Sequence, residues 1–305
     1  MDNNLISVVM AVHNVQDYII STLNAVKNQT YQDFEVIIVD DHSTDNTAMF
    51  IYNEFCLHDN RFKLFVNCTD KSNPFVDAHN LSYKLAKGKY LIRLDGDDLM
   101  YPNHLETIVN LMDSRPDIDG GCTCVDRRLD IGNGILVDYA TSDARTEQWK
   151  KHEDDAIDEA EVEKFNKFPA LEYNGNQLHI FNQASFLRKS WYDKCLPLFN
   201  FYKIPDTIFW WTVLAKGARL YKIPARTLLY RIHKNSNSNI NAVNSGVDTA
   251  YALQEYAALQ KSIAFSYYDK DTPMGDTTAG KLSQFYKEAS ERFHAELLKS
   301  ENNGK

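Results

Sequence analysis

The chain has 305 residues and a formal net charge of −9, with 44% hydrophobic and 25% charged residues. This composition is typical of a globular protein and excludes a disordered or collagen-like chain. The acidic balance argues against binding nucleic acid through a basic face. An anionic substrate would therefore need a local source of positive charge, and a bound metal ion is the usual one.

The compartment is indicated by the N-terminus and the cysteines. The first ten residues (MDNNLISVVM) contain no basic segment followed by a long apolar one, so no secretory signal is predicted. The longest apolar runs fall far short of the roughly 18 residues that span a bilayer. Five cysteines form an odd set without metal-type spacing, which favours a reducing compartment. We expect a cytoplasmic protein, with peripheral association at the inner membrane face as an alternative.

Four short apolar runs in the first half have the β-branched composition of strands that are covered on both faces. They are residues 6–12, 34–39, 62–66 and 90–94. Helical patterns separate or follow them, at residues 17–28, 76–86 and 102–112. Ser43 or Thr44 is placed to cap the helix after the second strand. Strands that alternate with helices imply βαβ units, so we predict an α/β fold with a largely parallel sheet.

Acidic residues follow two of these strands. Asp40 and Asp41 come after the second strand, and Asp95, Asp97 and Asp98 come after the fourth. Ligands bind beyond the carboxyl ends of the strands in open parallel sheets. Within the Asp-Gly-Asp triplet two hard oxygen donors lie on one side of the chain, which suits Mg²⁺ or Mn²⁺ held together with substrate phosphates. The pattern predicts a metal-bound diphosphate, with helix capping and solvation as the alternative.

Three motifs follow one another along the chain, at residues 6–14 (ISVVMAVHN), 28–45 (NQTYQDFEVIIVDDHSTD) and 94–102 (LDGDDLMYP). Together they resemble the motifs of the family 2 glycosyltransferases of the GT-A fold. The similarity covers roughly residues 5–127 and resumes near 204–238. It implies a Rossmann-like, mostly parallel central sheet flanked by helices, with a helical C-terminal extension. It also implies a nucleotide-sugar donor, a divalent cation (Mn²⁺ or Mg²⁺) and inversion at the anomeric carbon.

The resemblance assigns donor-binding roles to five residues. Asp41 would accept a hydrogen bond from the base, typically uracil N3–H, and Val12 would line the nucleoside pocket. Asp95 and Asp97 would bind the metal, with Asp97 the more direct ligand and Asp95 nearer the ribose. Asn80 is kept from the loop that contacts the donor in the family.

The resemblance also implies a catalytic base and a further metal ligand, in two later motifs. Residues 205–211 (PDTIFWW) look like the segment with the catalytic base, which makes Asp206 the candidate. Residues 230–233 (YRIH) resemble the Y-R-x-H motif of the family, in which His233 reaches the metal or the diphosphate. The sequence departs from the family pattern at His13, which replaces an aromatic residue that often frames the base.

The resemblance also divides the chain. Residues 1–127 would bind the nucleotide-sugar, residues 128–238 would bind the acceptor and carry the base within the same domain, and residues 239–305 would form the helical extension. The expected activity is a metal-dependent hexosyl or N-acetylhexosaminyl transfer, from a UDP-sugar by preference. The acceptor would be a hydroxyl of a glycan or of a lipid-linked sugar in polysaccharide biosynthesis.

The region beyond residue 247 predicts a helix with an apolar stripe. Ala252, Tyr256, Leu259 and Ile263 recur at helical spacing. This stripe can pack on the main domain, pair with a second chain to form a homodimer, or lie on a membrane. Lys261 is the one basic residue between Val247 and Tyr268, which makes the membrane the weakest of these three alternatives.

Two other classes of function stay open. A sugar nucleotidyltransferase needs a glycine-rich phosphate loop after the first strand, and residues 13–18 contain no glycine. A NAD-binding dehydrogenase is rejected, because the G-x-G-x-x-G motif that it needs is absent. A catalytically inactive glycan- or nucleotide-binding protein of this fold is the non-enzyme alternative, and the joint presence of the four candidate aspartates, Asp206 included, counts against it.

Overall fold

The structure is a computed structural model that describes residues 4–68, 74–132, 134–138, 184–195, 209–210, 213, 218–234 and 236. In chain order its elements are β1 (Ile6–Val12), α1 (Ile19–Lys27), β2 (Phe34–Asp40), α2 (Thr47–Ile51), β3 (Phe62–Val66), α3 (Pro74–Leu85), β4 (Tyr90–Arg93), β5 (Leu99–Met100), α4 (His104–Ser114), β6 (Gly120–Asp130), β7 (Leu136–Asp138), β8 (Ser185–Arg188), α5 (Lys189–Cys195) and β9 (Leu220–Ile232). A π-helical turn, Tyr52–Cys56, continues α2.

The nine described strands form one mixed sheet. Its order is β3-β2-β1-β4-β8-β6-β9-β5, and β7 pairs with β6. The first four of these strands are parallel to one another. β8 runs antiparallel between β4 and β6, and β6 and β9 pair in parallel. The predicted α/β fold with a mostly parallel core is confirmed, and β5, β7 and β8 are its antiparallel strands.

Both faces of the central strands are covered, which is why their sequences are continuously apolar. Successive side chains of a strand point to opposite faces. Val8 and Met10 pack with residues of α1 and α4 in one core cluster. Val9 lies in a second cluster with residues of α3 and α5. Strand periodicity therefore divides the core into two layers around the sheet.

The loop that precedes α2 differs from the prediction. The helix begins at Thr47, and Asp45 Oδ1 accepts the Thr47 backbone N–H at 2.9 Å. Ser43 and Thr44 instead contact Asn14 in the turn after β1: Ser43 Oγ accepts the Asn14 backbone N–H, and Thr44 N–H donates to Asn14 Oδ1. The predicted cap was wrong because the two hydroxyl residues lie too early and tie two loops together.

The carboxyl ends of six strands lie at one edge of the sheet. β1, β2, β3 and β4 are parallel, and β6 and β9 point the same way because β8 is antiparallel to both β4 and β6. Asp41, Asp95 and Asp97 follow β2 and β4 at this edge, and His233 follows β9. The fold thus gathers most of the candidate residues along one line.

The proposed division of the chain remains a prediction. Residue 127 lies within β6, and the extension at 239–305 falls outside the described residues. In the part of the chain that the structure describes, no helix is long and apolar enough to cross a bilayer.

Gly121 tests the pairing of β6 with β9. A Cβ atom at this position would lie 1.8 Å from the carbonyl oxygen of Tyr221 on β9. Gly121→Ala must therefore push the strands apart, and overpacking of this kind lowers the free energy of unfolding by about 1–3 kcal/mol. Urea denaturation would measure this free energy, with Ser114→Ala at the exposed end of α4 as the control. A free energy of unfolding equal to that of the wild type would contradict this strand pairing.

Candidate active site

A first group of contacts surrounds Asp41 at the ends of β1 and β2. The Asp41 backbone N–H donates to the Val12 carbonyl at 2.8 Å, and both residues are buried. Asn67 Nδ2 donates to Asp41 Oδ1 at 3.0 Å, and His42 Nδ1 donates to the same oxygen at 3.1 Å. The carboxylate is thus held in one orientation before any ligand arrives.

His13 packs around the same residue from the turn after β1. Its Nδ1 donates to the Asp41 carbonyl oxygen at 2.7 Å, because a carbonyl can only accept. Its Nε2 then accepts from Asn14 Nδ2 at 3.1 Å in the neutral ring. The residue that departs from the family pattern therefore supports the main chain of Asp41.

The three carboxylates after β4 point to different partners. Asp95 Oδ1 accepts from Arg93 Nε and Nη2 at 3.2 and 3.1 Å. His233 Nε2 donates to Asp97 Oδ2 at 2.9 Å. Asp98 is 1% exposed, and its Oδ1 accepts the backbone N–H of Arg231 at 2.9 Å. Burial, and then the nearby Asp97 and Asp95, raise the pKa of Asp98 well above its usual value.

Gly96 lets this loop approach the first strand closely. A Cβ atom at Gly96 would lie 3.0 Å from side-chain atoms of both Val12 and Val15. Thr22 on α1 donates its hydroxyl to the Gly96 carbonyl at 3.0 Å. The glycine of the triplet therefore sets Asp95 and Asp97 against the end of β1, where Asp41 also lies.

The donor atoms at this edge fit a divalent cation. Asp97 and His233 bring a carboxylate oxygen and an imidazole nitrogen within 2.9 Å, and the Asp97 side chain is 22% exposed. Oxygen ligands suit Mg²⁺ and Mn²⁺, and an imidazole nitrogen favours Mn²⁺. Among the described residues, no three histidine, cysteine or acidic side chains converge as a complete metal site. A cation held here would need oxygen atoms of a bound phosphate or of water as further ligands.

The structure brings two pairs of predicted site residues into contact. Asp97 meets His233 across 136 positions of sequence, and Val12 meets Asp41. Asn80 is half-buried on α3, which packs against β1 and β2. Asp206 lies outside the described residues.

Two residues that contact the candidate site, Asn67 and Tyr18, are not predicted from the sequence. Asn67 directly follows β3 and fixes Asp41, so its place at the end of a neighbouring strand could have identified it. Tyr18 lies just before α1, and its ring centroid is 4.3 Å from that of His233. No spacing pattern in the sequence links Tyr18 to His233, because the two residues come from opposite ends of the described chain.

Comparison with known proteins defines the family. Residues 7–195 match the family model described as glycosyl transferase family 2. This chain belongs to that family. An uncharacterised glycosyltransferase of Haemophilus influenzae is 28% identical over 242 residues, which cover 77% of this chain and 68% of that protein. The Escherichia coli UDP-Glc:alpha-D-GlcNAc-diphosphoundecaprenol beta-1,3-glucosyltransferase WfgD is 34% identical over 112 residues, 37% of this chain and 42% of that enzyme.

Solved structures share the fold. S. aureus TarS 1-349 in complex with UDP-GlcNAc aligns with a TM-score of 0.56 at 16% identity, over 92% of this chain and 81% of that one. The mannosyltransferase PcManGT from Pyrobaculum calidifontis, in complex with GDP-Man and Mn²⁺, aligns with a TM-score of 0.58 at 12% identity, over 98% and 79%. The predicted GT-A architecture is confirmed, and family membership makes the chain a glycosyltransferase with a nucleotide-sugar donor.

Asp98→Asn should stabilise the metal-free protein near neutral pH. Because its pKa is raised by folding, the folded state holds this proton more tightly than the unfolded chain, where Asp titrates near 3.8. The wild type therefore loses stability as pH rises from the unfolded pKa through the folded one, and an amide avoids this loss. In urea denaturation with EDTA, the variant should gain more free energy of unfolding over the wild type near pH 7 than near pH 4. A gain independent of pH would contradict the raised pKa.

Proposed function

We propose that this chain is an inverting, metal-dependent glycosyltransferase that moves a sugar from a UDP-sugar to a hydroxyl of a glycan or lipid-linked acceptor. The contact between Asp97 and His233 carries the proposal, because it brings two metal-ligating side chains to the edge that also holds Asp41. The UDP-Glc and diphosphoundecaprenol named for the Escherichia coli relative, and the Mn²⁺ of the Pyrobaculum neighbour, support it.

We assign the nucleotide to the ends of β1 and β2. A buried carboxylate that Asn67 already orients can accept uracil N3–H with little reorganisation, so Asp41 reads the base. Val12 lines the nucleoside beside it. Asp95, held by Arg93, lies nearer the ribose, and Asn80 contacts the donor from α3.

Asp97 and His233 are the residues that would hold a cation, with Asp95 close by. The imidazole nitrogen favours Mn²⁺ over Mg²⁺. When bound, the cation stabilises the negative charge that builds on the leaving diphosphate. Asp97 and His233 would give up their mutual hydrogen bond for this ligation.

Asp206 is our candidate for the catalytic base. Inversion requires that the acceptor hydroxyl attack the anomeric carbon from the face opposite the leaving group, while a carboxylate removes its proton. Phe209 and Trp210, three and four positions after Asp206 in sequence, are buried with Tyr83 and Tyr192. The acceptor would bind to residues 128–238.

The class of acceptor determines where in the cell the enzyme would act. We place the activity in the cytoplasm, in polysaccharide biosynthesis, and at the inner membrane face when the acceptor is lipid-linked. Homodimer formation through the stripe at 252–263 is a further part of the proposal.

Asp97→Asn and Asp206→Asn should each lower transfer at least about 100-fold, because each removes a charge that the reaction requires. UDP release from UDP-Glc and UDP-GlcNAc with Mn²⁺, with and without acceptor, measures the effect, and circular dichroism checks the fold. Asp117→Asn is the matched control, since this carboxylate is 47% exposed and lies just before β6, at the edge of the sheet opposite Asp97. An active Asp206→Asn variant would refute the assignment of the base, and a wild type that releases no UDP would contradict the UDP-sugar donor.

A thermal-shift panel tests the donor. UDP with Mn²⁺ should raise the melting temperature more than UDP or Mn²⁺ alone, since a ligand at 100 times its Kd stabilises the fold by about 2.7 kcal/mol. UDP should also exceed GDP, ADP and CDP. A larger shift with another nucleotide would reassign the base, and a UDP shift indifferent to Mn²⁺ would remove the metal from the proposal.

A further inference from the structure

We propose that Tyr18 and Arg231 are positioning residues that hold the His233 ring in contact with Asp97; what this means for metal binding rests on the proposed function. The terminal torsion of a histidine is broad, so the main chain alone does not aim its Nε2 atom. The Tyr18 ring lies on that of His233 at a centroid distance of 4.3 Å and an angle of 36°. This packing restricts the rotation that would move Nε2 away from Asp97.

Arg231 fixes Tyr18 in turn. Its guanidinium carbon lies 5.0 Å from the centroid of the Tyr18 ring, within cation–π distance. Its Nη2 donates to Ser21 Oγ at 3.1 Å, and its Nη1 donates to Asp130 Oδ2 at 3.4 Å. The Arg231 and Asp130 side chains are 4% and 7% exposed. A planar, buried guanidinium with two hydrogen-bond partners is a rigid support for a ring.

The main chain of Arg231 joins the same unit. Its backbone N–H donates to Asp98 Oδ1 at 2.9 Å, next to Asp97 in sequence. Arg231 therefore links the loop after β4 through its main chain and the start of α1 through its side chain. His233 follows two residues later. Its main chain therefore continues from a residue that is bonded both to the loop after β4 and to α1.

The ring of Tyr18 is the group that acts, and its hydroxyl is dispensable. Among the described residues the Tyr18 hydroxyl makes no hydrogen bond. Burial and the Asp130 carboxylate raise the pKa of Tyr18, so the phenol stays neutral. Tyr18→Phe is therefore the matched control for Tyr18→Ala. For Arg231→Met the control is Arg219→Met, because the Arg219 side chain is 62% exposed.

Histidine-detected ¹H–¹⁵N spectra of the metal-free protein test the positioning directly. The wild type and Tyr18→Phe should show a protected, hydrogen-bonded Nε2–H signal, assigned to His233 by its absence in His233→Gln. Tyr18→Ala and Arg231→Met should lose it while melting cooperatively. Retention of that signal in Tyr18→Ala would overturn the proposal. Tyr18→Leu, which keeps apolar bulk without a ring, provides the same test if the alanine variant fails to fold.

Mn²⁺ binding, followed by electron paramagnetic resonance without substrate, tests the consequence. Tyr18→Ala and Arg231→Met should weaken Mn²⁺ binding by at least about tenfold, the loss typical of residues that orient a metal ligand. Tyr18→Phe and Arg219→Met should bind like the wild type. Equal affinity in Tyr18→Ala and the wild type would overturn the proposal. A wild type that binds no Mn²⁺ would instead overturn the proposed metal, and the histidine spectra would still decide whether Tyr18 positions His233.

Discussion

Parallel strand pairing is the constraint on which the site depends. Because β1, β2 and β4 run the same way, residues that are far apart in sequence meet where these strands end. The antiparallel β8 then allows β6 and β9 to end at the same edge, and this brings His233 to Asp97. Without this alignment the acidic residues would be separate helix-capping or solvated groups.

Gathering carboxylates has an electrostatic cost, which shows in the raised pKa of the buried Asp98. Three of them follow β4 within four positions, and each is bound by a different group. The partners are Arg93 for Asp95, His233 for Asp97 and the backbone N–H of Arg231 for Asp98. Of these three contacts, the one between Asp97 and His233 joins two metal-ligating side chains. In an acidic protein, this is where a cation can reverse the local sign for an anionic donor.

The sequence predicted the first half of the fold well, since buried parallel strands produce continuous apolar runs. β1 and β3 begin and end at the predicted residues. The two-residue strand β5 is too short to give a pattern, and the position of β8 between β4 and β6 depends on long-range pairing that local periodicity does not encode. The same limit applies to the site. Asp41 and Asp97 could be found from strand ends, whereas the contact of Tyr18 with His233 forms only in the folded chain.

The central claim is that the sheet edge with Asp41, Asp97 and His233 binds a nucleoside diphosphate through a cation. A crystal structure with Mn²⁺ and UDP is its most direct test. The account predicts Mn²⁺ bound by Asp97 and His233, with diphosphate oxygens completing its coordination and uracil at Asp41. Mn²⁺ and UDP bound elsewhere, with the hydrogen bond between Asp97 and His233 intact, would contradict it.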